Sequence, residues 1–353
     1  MLGDQKQNAT EGSTAIQAKG DVTVNGGLSP TQMVEILSAL TAHVETLGNA
    51  CRAQIEDRLK IFEAGVLERF AADGTTRSEA FREPDFLAAT LDAQKAFARS
   101  GDEGLREVLT DLVAQRSKVA ERSRLSLTLN DAIAKVGSIP DSDLNTLSMM
   151  FIFQNIQINT LTNIQELADY YSRLCLPLLD NISTSQSAIN YLAAHGCVIP
   201  PSGLGIYSDA LEIFSSRYGD IITKGVSEAD LRDKFTDYDL LLLRGLIVES
   251  PYGNGRKAFA VRGPQLEKIL PQFGIYGEYS ERYKEVTRHS QPSGDEFQGV
   301  MNAHFPRIAE VMAKYNEPII RNSRLTSIGI ALAHANLAKG PLQNVDLSIW
   351  IKP

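Results

Sequence analysis

The chain has 353 residues, 43% apolar and 22% charged, an ordinary balance for a folded globular protein and long enough for two or three cores without staples. A formal charge of −8 excludes a general attraction to nucleic acid or anionic membrane and leaves room for a local basic patch. Three cysteines, Cys51, Cys175 and Cys197, stand far apart without CxxC spacing, which argues against a disulfide framework or a zinc knuckle and fits a reducing cytoplasm.

The first twenty residues have no apolar stretch of the kind a secretory leader needs. Residues 12–27 instead alternate. Thr14, Ile16, Ala18, Gly20, Val22 and Val24 fall on one face, and Ala15, Gln17, Lys19, Asp21, Thr23 and Asn25 on the other. One strand, or one hairpin turning at Lys19-Gly20, can neither bury that face nor pair its backbone alone. The next segment with strand character lies far downstream. The expected mates are therefore the same residues of other copies, with Ile16, Gln17, Val22 and Val24 forming a homo-oligomerisation element.

Ser29-Pro30-Thr31-Gln32 carries a cap, a first-turn proline and capping-box spacing, so a helix is predicted from Pro30. Its apolar positions (Met33, Val34, Leu37, Leu40, Val44, Leu47, Cys51, Ile55, Leu59, Phe62, Val66, Leu67, Phe70) recur every three or four residues. That length marks a bundle or coiled-coil helix. Residues 73–76 break the pattern, and Pro84 opens a second helix to about Ala98. A third run spans 105–136, and short polar joints predict antiparallel packing. Further helices are expected at 144–158, 163–179 and 183–195, and no repeat of fixed period appears.

Pro200-Pro201-Ser202-Gly203 reads as a domain joint. Beyond it come a helix at 207–218, one helix or a pair over 227–244, a strand at 246–249, a turn, a strand at 258–261 and a helix at 264–270. Helices followed by a hairpin are the layout of a winged-helix unit. A helix over 297–315 and a strand-like end at 345–351, containing Trp350, complete the chain. The fold class expected is mainly α: an N-terminal β-element (1–28), a multi-helix bundle (29–199) and a C-terminal winged-helix-like α+β domain (200–353).

Candidate sites are few. The hairpin carries Arg256, Lys257 and Arg262, a candidate nucleic-acid contact. The preceding helices oppose that reading, with Glu228, Asp230, Asp233, Asp237 and Asp239 against Arg232, Lys234 and Arg244. A structural or protein-contact role is favoured. His43, His195, His289, His304 and His334 are scattered singly, without HExxH or HxH spacing. The glycine pairs at 203–205 and 253–255 do not complete a phosphate-binding motif. The cysteines lie on apolar faces expected to be buried and inert. Asp141 and Asp143 read as acids of a helix start. Met149, Met150, Phe151, Ile152 and Phe153 leave their helix no polar side, so that stretch is either buried all round or a partner or membrane surface. No residue set anchors an enzyme, a metal or a cofactor.

The segment Gly12-Ser13-Thr14-Ala15-Ile16-Gln17 through Val24, taken with Leu325-Thr326-Ser327-Ile328-Gly329-Ile330-Ala331-Leu332, resembles an uncharacterised family of bacterial cytoplasmic proteins. The second motif is also similar to the C-terminal segment of Abi-alpha-type abortive-infection proteins. The resemblance implies a bacterial stress or phage-defence setting and carries over no catalytic residue. The expectation is thus a non-enzymatic, self-assembling bacterial protein with a protein partner. The alternatives are a winged-helix DNA-binding regulator and a membrane-acting effector.

Overall fold

A computed structural model describes residues 30–201, 207–260, 268–273, 291–338, 340, 342–343 and 345–352, with the backbone alone for 30–50, 242, 270 and 273. The strand element at 12–27, with Ile16, Gln17, Val22 and Val24, lies outside the described residues, as does Arg262. Two units divide the chain, Met1–Gln54 and Ile55–Pro353. The described part of the first is helix throughout, from Pro30 on.

The fold is mainly α. Helix α1 runs Pro30–Ala72, followed by α2 Pro84–Ser100, α3 Glu103–Ser117, α4 Arg124–Val136, α5 Asp141–Asn155, α6 Ile164–Leu179 and α7 Gln186–Ala194. Then come β1 Val198–Ile199, α8 Ala210–Ile222, α9 Glu228–Lys234, α10 Asp237–Leu243, β2 Ile247–Glu249 and β3 Lys257–Phe259. The last elements are α11 Gly294–Met301, α12 Ile308–Asn316, α13 Pro318–Arg321, β4 Arg324–Leu325 and α14 Ser327–Leu337.

Several boundaries depart from the pattern in the sequence, each for a local reason. The run over 105–136 is two helices, because Ser123 exchanges hydrogen bonds with Ser126 in a capping box that starts α4 afresh (3.3 and 2.8 Å). The helix expected over 297–315 is also two, α11 and α12. Between them the chain turns through Arg307, whose φ is +68°. The strand-like end at 345–351 is not a strand. Asp346 accepts a hydrogen bond from the Ser348 amide (2.7 Å), winding Leu347–Ile349 into a 3₁₀ turn. Trp350 therefore does not sit in a strand. Its Nε1 donates to Asn155 O (3.0 Å) at the end of α5, and its ring stands edge-on to Phe151 (centroids 4.9 Å apart).

At the centre lie α5 and α14, enclosed by neighbours over most of their length, with their polar side chains paired across the contact: Asn336 Nδ2 donates to Asn145 Oδ1 (3.0 Å) and Ser148 Oγ (2.9 Å). Helix α14 packs on α3, α4 and α5. It begins where the C-terminal motif stands. Thr326 Oγ1 accepts from Gly329 N (3.2 Å), capping the helix, and donates to Gly196 O (2.6 Å). Val198 and Ile199 pair antiparallel with Leu325 and Arg324, so the motif is stitched to the loop after α7. Gly329 allows this approach, since a Cβ there would lie 2.0 Å from Cys197 O.

Packing does not change at residue 200 as the predicted joint requires. Ala210, Phe214, Phe297, Met301 and Tyr315 belong to the same core as Phe153, Leu167 and Tyr171. Apolar continuity across α5, α6, α8, α11 and α12 overrides the local Pro-Pro signal. A second, smaller core is built from Val226, Leu231, Phe235, Leu243, Leu246 and Phe259.

Candidate functional site

Residues 149–153 are buried to within 1% of full enclosure. Met149, Met150, Phe151 and Phe153 are therefore core in this conformation, not a partner or membrane surface. Phe153 stacks on Tyr315 (4.3 Å, 21°) and meets Phe214 edge-on, which explains the loss of a polar side. No helix among the described residues is long and apolar enough to cross a membrane.

The hairpin unit grows from two capping boxes. Ser227 and Asp230 start α9, and Thr236 and Asp239 start α10. Two of the acids counted against DNA reading thus have a structural task. Val226 bridges Lys257 through paired backbone bonds (2.9 and 2.8 Å), adding a third, one-residue strand beside β3 and β2. Gly225 makes the bridge reachable, with φ +79° and a Cβ position only 2.3 Å from Lys257 O. The two wing cations among the described residues, Arg256 and Lys257, are engaged within the chain. Arg256 Nη1 donates to Gly225 O (3.0 Å), and the Lys257 ammonium pairs with Glu249, which raises its pKa. Facing outward on α10 are Tyr238 and Leu241, 68% and 64% exposed.

Sequence reasoning missed a buried ionic cluster at the junction of α1, α3 and α14. Arg69, in the last turn of α1, places Nε and Nη2 on Asp111 Oδ1 (3.1 and 2.8 Å) and donates from Nη2 to Gln343 O (2.9 Å). Its Nη1 lies 3.6 Å from Asp73 Oδ2, which also takes the Lys118 ammonium at 2.8 Å. His334, fully enclosed on α14, bonds Val345 O through Nε2 (2.8 Å) and turns Nδ1 toward Asp111 Oδ2 at 4.0 Å. Asp111 Oδ2, His334 Nδ1 and Gln115 Nε2 are buried without a hydrogen-bond partner among the described residues.

The electrostatics follow from burial. Desolvation raises the Asp111 pKa against the pull of His334, Arg69 and Lys118. Desolvation likewise lowers that of His334, against the opposing effect of Asp111. For Asp73, desolvation is outweighed by the Lys118 ammonium and two bonds from Thr75, leaving its pKa at about 2. The Val345 carbonyl requires a proton on Nε2, so Nδ1 of the neutral ring carries the lone pair facing Asp111. Such a pair titrates as a unit. A cavity of about 250 Å³ lies beside the cluster, lined by Arg69, Arg106, Thr110, Asp111 and Gln343 among others.

This arrangement clasps three helices and can hold a proton. It does not assemble a metal site, since no group of three or more ligating side chains of the metal-binding kind occurs among the described residues. Nor does it hold a thiol. Cys175 and Cys197 are buried elsewhere with raised pKa values, that of Cys197 about 11, whereas Cys51 is exposed, contrary to its expected burial. Asp141 and Asp143 open α5 without capping it, because the N-cap is Pro140.

The architecture defines a class: a helical bundle built round two enclosed central helices, α5 and α14, with a small helix–helix–hairpin unit that has its own core. Residues 27–351 match the model of a protein family described as ":-like", and the chain belongs to that family. No curated protein and no solved structure matches it.

Proposed function

We propose that the protein is a non-enzymatic, self-assembling protein that acts by homo-oligomerisation and by contact with a protein partner. The observation that carries this reading is on α1. Met33, Leu37, Leu40, Val44, Leu47 and Cys51 are separated by steps of four and three in alternation, the seven-residue repeat of a coiled-coil seam. Where side chains are described along that helix, Cys51 is exposed and Ile55 is 43% exposed. An apolar seam of this period is complementary to a second copy of itself. The alternating residues 12–27 would add edge pairing between copies.

Mass by light scattering tests the seam on the full chain. The wild type is expected as an oligomer and the double variant Leu40→Glu, Leu47→Glu as a smaller species with unchanged helical content. Equal masses would remove the seam from the argument. A chain starting at Leu28 separates the contribution of the strand element.

The protein-contact part rests on Tyr238 and Leu241, which stand exposed on α10 beside Asp237. An outward helix with two large apolar groups and acidic neighbours suits a protein surface better than a phosphate backbone. The unit's order, with α8, the Val226 bridge, α9, α10 and a hairpin, supports a winged-helix-like reading. DNA regulation is the second reading, weakened because Arg256 and Lys257 already bond within the chain. Absence of DNA binding at low salt would exclude it. A membrane-acting effector would require the enclosed residues 149–153 to emerge, so liposome leakage is the measurement that would revive it. The bacterial cytoplasm and a phage-defence setting of the abortive-infection kind belong to this proposal through the resemblance at residues 12–24 and 325–332.

A further inference from the structure

The cavity between the end of α5, the start of α8 and residues 315–325 holds about 380 Å³, within the range of small-molecule sites. Its lining includes Arg217, Arg321 and Arg324 and no carboxylate. Arg217 donates to the carbonyls of Ile156 (2.6 Å) and Gln154 (3.0 Å), so its charge is balanced in part by the negative end of α5. The other two have no such balance. Neither Arg321 nor Arg324 is paired with a carboxylate among the described residues, and Arg321 Nε is buried without a hydrogen-bond partner. Arg324 lies over the ring of Tyr207, 4.6 Å from its centroid, which fixes the guanidinium at the rim. Asp209 caps α8 and does not itself line the cavity, though its charge reaches Tyr315 on the cavity wall.

We propose that this cavity binds a small phosphate monoester. Two unbalanced guanidiniums match the charge of a phosphate dianion, whereas a single carboxylate would neutralise only one of them. Their planar donor forks suit oxyanion geometry. Ile213, backed by the enclosed Phe153–Tyr315 stack, gives the organic part an apolar side, and Gln154 and Ser208 add polar groups along the wall. Gln154 is held by its own bond from Nε2 to Ser323 O (2.8 Å).

Isothermal titration of the full chain with ribose 5-phosphate, inorganic phosphate, ribose and succinate tests this. Saturable binding of ribose 5-phosphate, tighter than phosphate or succinate and absent for ribose, is expected. Arg324→Gln, at an exposed position, should weaken binding roughly tenfold while melting as the wild type does. Arg321→Gln should do the same, and Arg232→Gln on α9 should leave binding unchanged. Inorganic phosphate binding as well as or better than the ester would overturn the organic ligand, and succinate binding more tightly would overturn the phosphate. No binding of ribose 5-phosphate, or binding indifferent to Arg324→Gln, would overturn the site.

Discussion

Thr326 and Gly329 show how a short motif earns its place through geometry. Removing the cap by Thr326→Ala should lower stability by about 1–2 kcal/mol, read as a shift of the denaturant midpoint without a change of slope. Gly329→Ala places a methyl group against Cys197 O and should cost at least as much, on the order of 1–3 kcal/mol. Asp73 gives a pH signature. Its folded pKa lies below its ordinary 3.8, so its contribution is fully present above that value and fades as pH falls from there to about 2. Asp73→Asn should therefore be less stable by about 2 kcal/mol at neutral pH, with the gap closing toward pH 2. A gap of constant size across the titration would remove the ion pair as its cause. His334 adds loss in the same direction at higher pH. Buried neutral, it refuses the proton that the unfolded chain accepts below about 6.5, so stability falls as pH drops through that value. Asp111 acts in the opposite sense, since its raised pKa favours the folded state most at low pH.

Among the elements, starts were more legible than interruptions. Pro30, Pro84, Asn163 and Ser227 each announce a helix by local chemistry that tertiary packing respects. The break between α3 and α4 was hidden because the apolar positions on either side keep helical spacing through Val119. The Ser123 cap that divides them needs only one hydroxyl. Strand β4 is two residues long and exists through its pairing with β1, a contact no periodicity can register. The helix pair and the hairpin, by contrast, follow their reading closely, while the helix expected at 264–270 lies largely outside the described residues. The unit rests on a separate small core, so its amides should exchange faster than those of α5 and α14. Hydrogen exchange resolved by peptide would show this, and equal protection would mean that the unit is locked to the bundle.

For the whole molecule, the mainly helical class was readable from spacing alone, while the ionic cluster was not. Arg69, Asp111, Lys118 and His334 are ordinary residues in their own segments, and only the arrival of α14 beside α3 gives them a common environment. Asp111→Ala, which removes the acceptor of both Arg69 Nε and Nη2, should destabilise the fold by roughly 3–5 kcal/mol, measured by denaturant unfolding, whereas Asp111→Asn keeps an Oδ1 acceptor and should cost less. If copies join through α1, the melting temperature of the full chain should rise with protein concentration, and the seam variant should lose that dependence.

The order of synthesis gives α14 one more consequence. Helices α3, α4 and α5 leave the ribosome well before α14, which packs on all three, so the nascent bundle waits with that face uncovered and Phe151 without His334 beside it. A translational stall ahead of residue 326 would release a chain whose oily interior faces water, a natural substrate for chaperones and proteases.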